Sequence, residues 1–228
     1  MSQPGSPVGP KDVTLTPKPL SFGTRVISLI PRIGSITAQS KPYTQYWSDN
    51  NVEAMQADGK LLVVLGDSAA LSVGATEPAK GYVGLIAEHL SGWRVINLSR
   101  SGAKVQDTID DFLPVYAKLK PDLTVCSIGS NDIFFSPAAR SLQPKLRTVV
   151  EALRPPAIVA KTAGASPRSF MANKTLGNAA QERGLSFVNP WGWPGEGLNK
   201  VASDKFHPND QGYEAMAERF IEAIEGLR

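Results

Sequence analysis

Cysteine and histidine are scarce in this chain. Its one cysteine, Cys126, excludes an internal disulfide framework, so the sequence does not require an oxidising compartment. One cysteine and two histidines, His89 and His207, are too few ligands for a structural zinc cluster. We therefore expect neither a metal nor a cofactor.

Long apolar runs are also missing. The apolar stretch near the N-terminus, residues 22–33, is too short to span a membrane and is broken by Pro31 and Arg32. This stretch also lacks the position and the cleavage pattern of a signal peptide. From these absences we expect a cytoplasmic protein.

Positive charge is concentrated at the N-terminus. Residues 1–45 carry five basic residues and one acidic residue, a net charge of +4, whereas residues 46–228 carry 19 basic and 20 acidic residues, a net charge of −1. The larger part of the chain therefore has no excess of basic residues with which to bind nucleic acid. A basic arm in weak contact with an anionic membrane surface is one interpretation of the N-terminal segment, and a helix packed on the domain is the other.

Length and composition divide the chain into three parts. A length of 228 residues, with 42% hydrophobic and 20% charged residues, is typical of one globular domain. Residues 1–20 are rich in Pro, Ser and Gly and predict a flexible tail. Residues 21–58 predict a helical extension with an aromatic patch, Tyr43, Tyr46 and Trp47, which packs on the domain or overhangs a cleft. The regular domain then occupies residues 59–228.

Strands and helices alternate along that domain. Five short apolar segments predict buried strands, over residues 61–65, 93–98, 123–128, 157–160 and 185–188. Helical patterns lie between them over residues 81–90, 106–118, 142–153 and 176–183, and a last helix follows Pro208. This alternation requires parallel pairing with right-handed crossovers. We therefore predict an α/β protein, a three-layer α/β/α sandwich of flavodoxin-like type with a five-stranded parallel sheet.

Ser68 directly follows the first of these strands. The strand ends at Gly66 in a tight turn, and ligands of open parallel sheets bind outside the carboxyl ends of the strands. A hydroxyl at this place is positioned for use as a nucleophile. A serine there also fits a helix N-cap, and the turn alone does not separate the two interpretations.

Three further segments stand at equivalent places. Ser99-Arg100-Ser101-Gly102 follows the second strand, Gly129-Ser130-Asn131-Asp132 follows the third, and Asp204-Lys205-Phe206-His207-Pro208 precedes the last helix. Together with Gly66-Asp67-Ser68, and in this order, these segments resemble the SGNH/GDSL hydrolase family. The four residues that give the family its name correspond here to Ser68, Gly102, Asn131 and His207. The resemblance extends from about Lys60 to the C-terminus and implies the same fold.

His207 is the stronger candidate for the base that a serine nucleophile requires. Asp204 lies three residues before it in a loop, where a turn brings the carboxylate to Nδ1 and leaves Nε2 free for Ser68. His89 falls within a helical stripe, where only the adjacent Glu88 is close in sequence and points to another face.

Three hydrogen-bond donors for an oxyanion follow from the resemblance. They are the backbone amides of Ser68 and Gly102 and the side-chain amide of Asn131. The chain departs from the family pattern at Ala69, where the first segment has leucine in the family, and this departure concerns packing behind the turn. By the same resemblance Asp67 is a structural residue of the turn.

Two other protein classes do not fit the first segment. An α/β-hydrolase requires a glycine two residues after its nucleophilic serine, and Ala70 occupies that position. A dinucleotide-binding fold requires glycine-rich spacing after the first strand, which residues 66–71 lack.

The resemblance thus implies a serine hydrolase that cleaves a small-molecule carboxylic ester, with a short-chain acyl or acetyl group favoured. An acyltransferase with the same triad and a non-catalytic binding module for an acylated ligand are the alternatives. Trp191 and Trp193, on the loop before the histidine segment, either line the substrate pocket or pin that loop to the core. The sequence leaves the oligomeric state open.

Overall fold

A five-stranded parallel sheet forms the centre of the computed structural model, which describes residues 8–17, 19, 28–135, 142–191 and 199–227. The strands are β1 (Leu61–Gly66), β2 (Arg94–Ser99), β3 (Leu123–Ser127), β4 (Ala157–Ala160) and β5 (Ser186–Val188). Their order across the sheet is β2-β1-β3-β4-β5, and every neighbouring pair is parallel. This is the flavodoxin-like order, so the predicted α/β fold is confirmed.

Helices connect the strands and cover the sheet. They are α1 (Pro31–Ala54), α2 (Tyr82–His89), α3, α4 (Ser130–Phe135), α5 (Leu142–Ala152), α6 (Pro167–Glu182) and α7 (Asp210–Glu225). Helix α3 consists of Val105–Asp107, a π-helical turn over Thr108–Phe112, and Leu113–Tyr116. Among the described residues, no helix has an apolar stretch long enough to cross a membrane.

The core lies in two layers, one on each face of the sheet. Along β1 the side chains alternate, so that Val63 and Leu65 join the cluster formed with α3, α5 and α6, whereas Leu62 and Val64 join the cluster formed with α2 and α7. Every residue of β1 is buried. Burial on both faces explains why this strand is a continuous apolar run without alternating polar residues, and it confirms the three-layer sandwich.

The N-terminal helix differs from the predicted one. Phe22, Val26 and Ile33 fall at helical spacing, which predicts a helix interrupted by Pro31, but α1 begins at Pro31. Proline is favourable in the first turn of a helix because its missing N–H has no partner there in any case. Phe22 and Val26, the first residues of that pattern, lie outside the described residues. The aromatic patch belongs to α1, in which Tyr43 and Trp47 are buried and Tyr46 is partly buried.

Helix α1 also covers the edge of the sheet. The Asn51 side chain donates to the Asn97 carbonyl and accepts from the Asn97 N–H, at 3.0 and 2.7 Å, on the open side of β2. Its amide thus takes the place of a neighbouring strand and leaves this edge position unable to pair with another chain. Asn51 also donates to the carbonyl of Val13, which is fully buried. Val13, in the predicted tail, therefore packs on the domain.

Candidate active site

The carboxyl ends of β1, β2 and β3 bring three of the predicted residues to one edge of the sheet. Ser68 lies two residues after the end of β1, Gly102 three after the end of β2, and Asn131 four after the end of β3. Because the strands are parallel neighbours in the order β2-β1-β3, these residues share one rim. This rim is the place where the fold accommodates a ligand.

A tight turn holds Ser68 above the end of β1. The Val73 N–H donates to the Ser68 carbonyl at 3.0 Å, and the Asp67 carboxylate accepts from the Ala69 N–H at 3.0 Å. A side chain at Gly66 would overlap with the Cβ of Ala70, so glycine is required for the chain to turn here. Ala69, the departure from the family pattern, is buried in the core.

Ser68, His207 and Asp204 form one hydrogen-bonded chain. His207 Nε2 lies 2.9 Å from Ser68 Oγ, and His207 Nδ1 lies 2.6 Å from Asp204 Oδ2. Ser68 and His207 are 139 residues apart in sequence. A histidine held in this way can take the serine proton at one nitrogen while the carboxylate stabilises the resulting charge at the other.

The loop that precedes α7 is shaped to present His207. Asp204 Oδ1 accepts from the backbone N–H groups of Phe206 and His207, at 3.0 and 3.1 Å, while its second oxygen binds the imidazole. Lys205 takes a left-handed conformation with φ of 60°, which closes the turn between the carboxylate and the ring. The backbone hydrogen bond from Ala202 N–H to the His207 carbonyl fixes the far side of the loop.

The charge of Asp204 is stabilised inside this loop. Burial raises the pKa of its carboxyl group, whereas the hydrogen bond from His207 and the charge of His207 lower it. The lowering effects together exceed the effect of burial, so the pKa lies below its ordinary value. Asp204 is therefore ionised at neutral pH and is able to stabilise a protonated imidazole.

The segments that carry the predicted oxyanion donors meet at Asn131. Its side-chain amide lies 3.0 Å from the carbonyl of Ala103, next to Gly102, and 3.5 Å from the carboxylate of Asp67, next to Ser68. Gly102 has a φ of 71° and open space where a side chain would be, so the backbone conformation, and not crowding, favours glycine. Among the described residues, the backbone N–H groups of Ser68 and Gly102 have no acceptor.

Asp67, which directly precedes Ser68, has a buried carboxyl group. Burial raises the pKa of its carboxyl group to about 6, although the Ala69 N–H and the charge of His207 act in the opposite direction. Asp67 therefore titrates close to neutral pH, unlike Asp204.

Trp191 contacts the core of the domain. The Trp191 indole N–H donates to the Lys161 carbonyl at 2.8 Å and its ring packs against the core, which is the contact expected of a side chain that pins its loop. Trp193 lies outside the described residues. His89 is the last residue of α2, not a mid-helix residue, and its Nε2 lies 3.4 Å from Glu225 on α7.

Helix α1 contacts the backbone on which His207 rests. Gln39 accepts from the Gly74 N–H at 2.8 Å and donates to the Ala75 carbonyl at 3.0 Å, and Tyr43 donates to the same carbonyl at 2.8 Å. Gly74 lies so close to the histidine loop that a side chain there would approach within 2.8 Å of the His207 Cβ. The helix therefore supports the exit of the Ser68 turn and, through Gly74, the position of His207.

The sequence model of the GDSL-like lipase/acylhydrolase family matches residues 64–215, which contain Ser68, Gly102, Asn131, Asp204 and His207. The chain belongs to this family. It is a carboxylic ester hydrolase of the GDSL/SGNH type, as predicted. No curated protein sequence matches this acylhydrolase.

Solved structures similar to the acylhydrolase include esterases. The psychrotrophic esterase EstA from Pseudoalteromonas sp. has a TM-score of 0.63 at 16% identity, over 74% of this chain and 98% of EstA. TesA has a TM-score of 0.62 at 23% identity, over 74% of this chain and 100% of TesA. The acetylxylan esterase Axe2 from Geobacillus stearothermophilus has a TM-score of 0.56 at 22% identity, over 74% of this chain and 95% of Axe2. At these identities the likeness establishes a shared fold.

The sequence of the acylhydrolase did not predict the contact of Gln39 with the backbone of residues 74–75. Gln39 lies on α1, before the region that the family model matches, and its two backbone partners are 35 and 36 residues away in sequence. No local motif marks such a contact, because a glutamine on an amphipathic helix is ordinarily a surface residue.

We expect Gln39→Ala to lower kcat of the acylhydrolase roughly tenfold and to change KM little, because the mutant loses both hydrogen bonds to residues 74–75 and the backbone beside His207 becomes less well placed. Steady-state hydrolysis of p-nitrophenyl acetate measures both constants. Gln45→Ala is the matched control, since Gln45 is an exposed glutamine of the same helix that bonds only to Asp49 among the described residues. Equal kcat values for the two variants would contradict this expectation.

The buried carboxyl group of Asp67 predicts a pH-dependent stability. Its folded pKa of about 6 lies above the unfolded value of 3.8, so the unfolded state releases its proton first as pH rises, and stability falls until the pH exceeds the folded pKa. Between pH 4 and pH 7 the free energy of unfolding of the wild type should therefore fall by about 2–3 kcal/mol relative to that of Asp67→Asn. Urea denaturation of both proteins measures the difference. If the free energy of unfolding changed with pH in the same way in the wild type and in Asp67→Asn, the raised pKa would be refuted. Asp58→Asn, which removes an exposed carboxylate, serves as the control.

Proposed function

We propose that this enzyme cleaves carboxylic esters through an acyl-enzyme on Ser68. In this proposal His207 is the general base and then the general acid, and Asp204 orients its ring. The observation that carries the proposal is the hydrogen-bonded chain, with His207 held 2.6 Å from Asp204 at one nitrogen and 2.9 Å from Ser68 at the other.

The first half-reaction forms the acyl-enzyme. Ser68 Oγ attacks the ester carbonyl carbon as its proton passes to His207 Nε2, and the carbonyl oxygen becomes an oxyanion. The amides of Ser68 and Gly102 and the side chain of Asn131 donate to that oxyanion. The intermediate then collapses: the bond to the alcohol oxygen breaks, the proton on Nε2 passes to that oxygen, and the alcohol leaves.

The second half-reaction releases the acid. His207 Nε2 takes a proton from water, whose oxygen attacks the acyl carbon of the Ser68 ester. Collapse of this second intermediate breaks the bond to Ser68 Oγ, which recovers its proton from Nε2. The ionised Asp204 stabilises the imidazolium in both halves, and each oxyanion donor contributes on the order of 10²–10³ in rate.

We further propose that the acyl group is short, such as acetyl. The shared fold with Axe2, which is an acetylxylan esterase by name, supports this choice. Weak contact of the basic N-terminal arm with a membrane stays a prediction, because Lys18 and Arg25 lie outside the described residues.

We expect Ser68→Ala and His207→Ala each to lower kcat for p-nitrophenyl acetate by at least about 10³, since each removes a group that moves the reacting proton or forms the acyl bond. His89→Ala is the matched control for His207, because His89 is the last residue of α2 and its ring contacts Glu225 on α7, so that the change should not affect kcat. Circular dichroism confirms that each variant is folded. Turnover by folded Ser68→Ala at the wild-type rate would refute the proposed nucleophile.

A further inference from the structure

Three phenylalanine rings form a group that reaches His207 through one of them, Phe206. Phe134 and Phe135 end helix α4, a few residues after Asn131, and Phe206 directly precedes His207. Ring centroids lie 5.3 Å apart for Phe134 and Phe206, and 5.5 Å for Phe135 and Phe206. The Phe206 ring also meets the His207 ring nearly at right angles, at 4.9 Å. We call Phe134, Phe135 and Phe206 the phenyl surface.

The phenyl surface is exposed although it is strongly apolar. Phe134 is 46% exposed, Phe135 61% and Phe206 37%. Single exposed apolar side chains are common on proteins, but a contiguous group of three aromatic rings is typical of a binding surface. Because Phe206 contacts His207, the ligand expected on this surface is a substrate bound in the same active site.

The chemistry of His207 indicates which part of the substrate lies on this surface. When the first tetrahedral intermediate collapses, Nε2 gives its proton to the departing alcohol oxygen, so that oxygen must lie within hydrogen-bonding distance of the imidazole. The carbonyl oxygen points instead to the amides of Ser68 and Gly102 and to Asn131. A surface built on the ring of His207 therefore adjoins the alcohol part of the ester.

We propose that the phenyl surface binds an apolar, preferably aromatic, group on the alcohol part of the substrate. The inference rests on the proposed function and adds a substrate class to it: short-chain acyl esters of apolar alcohols. Aromatic alcohols are favoured because a ring can pack edge-to-face on the exposed phenyl rings, as these rings do on one another.

Apolar transfer energies set the size of the expected effect. Complete burial of one methylene group corresponds to about a fourfold change in an equilibrium constant, and a partly open surface buries less than that. We expect kcat/KM to rise at least about tenfold from ethyl acetate to 3-phenylpropyl acetate. These substrates have the same acyl group and similar leaving-group oxygens, so intrinsic reactivity contributes little to the ratio.

The test compares two substrate series on each protein. The alcohol series consists of ethyl, butyl, hexyl and 3-phenylpropyl acetate, and the acyl series consists of ethyl acetate, butanoate and hexanoate, with acid release followed by pH-stat titration. The variants are Phe135→Ser, at the most exposed ring, and Phe206→Ser. Phe170→Ser is the matched control, because Phe170 is 69% exposed on α6 and is not part of the phenyl surface. Thermal unfolding of each variant shows whether it is folded.

We expect kcat/KM to rise along the alcohol series in the wild type. The rise should be less than threefold in Phe135→Ser and Phe206→Ser, and in Phe170→Ser it should equal that of the wild type. A flat alcohol series in the wild type, or a rise that both folded variants retain, overturns the inference and leaves the proposed function intact. Variants that flatten the acyl series and not the alcohol series also overturn it. If no ester is cleaved in a Ser68-dependent way, the proposed function fails and the inference fails with it.

Discussion

The imidazole of His207 is the group on which the arrangement of the site depends. It must lie against a carboxylate on one side and a hydroxyl on the other, and these belong to loops that are far apart in sequence. Asp204 and His207 are close in sequence, so their mutual geometry is a local matter of one turn. The distance to Ser68 instead depends on how the loop before α7 is seated on the rim of the sheet.

That seating comes from close backbone contact and from support behind it. Gly74 has no side chain, and this allows the exit of the Ser68 turn to lie against His207 and Pro208. Gln39 and Tyr43 on α1 hold the same backbone from the other side. The helix lies before the region matched by the family model, so this chain supports a family site with an element outside that match. Such support is consistent with the need to hold reacting groups within a fraction of an ångström.

Much of the fold was predictable because its signals are local. Strands buried on both faces are short apolar runs, as in β1, and each of the three segments at the rim begins where such a run ends. The pairing of Asp204 with His207 followed from their spacing of three residues, and the role of Ser68 followed from a family resemblance that rests on ordered short motifs. Helix α1 was harder to predict, because Pro31 and Pro42 suggest breaks, yet Pro31 begins the helix and Pro42 lies within it.

Other features depend on contacts that no local pattern encodes. The raised pKa of Asp67 arises from burial, which the motif does not reveal. The phenyl surface joins residues about seventy positions apart, and Phe206 was visible in the sequence only as a spacer between Asp204 and His207. The contact of Gln39 with Gly74 likewise depends on the packing of α1.

The most direct test of the central claim is covalent labelling of the nucleophile. The wild-type protein, treated with p-nitrophenyl ethylphosphonate and digested, is analysed by mass spectrometry beside His207→Ala. The account predicts one phosphonyl group per chain, attached to Ser68, and labelling at least about 10² slower in His207→Ala because the serine has lost its base. A label on any other residue, or equal labelling of the two proteins, would contradict it.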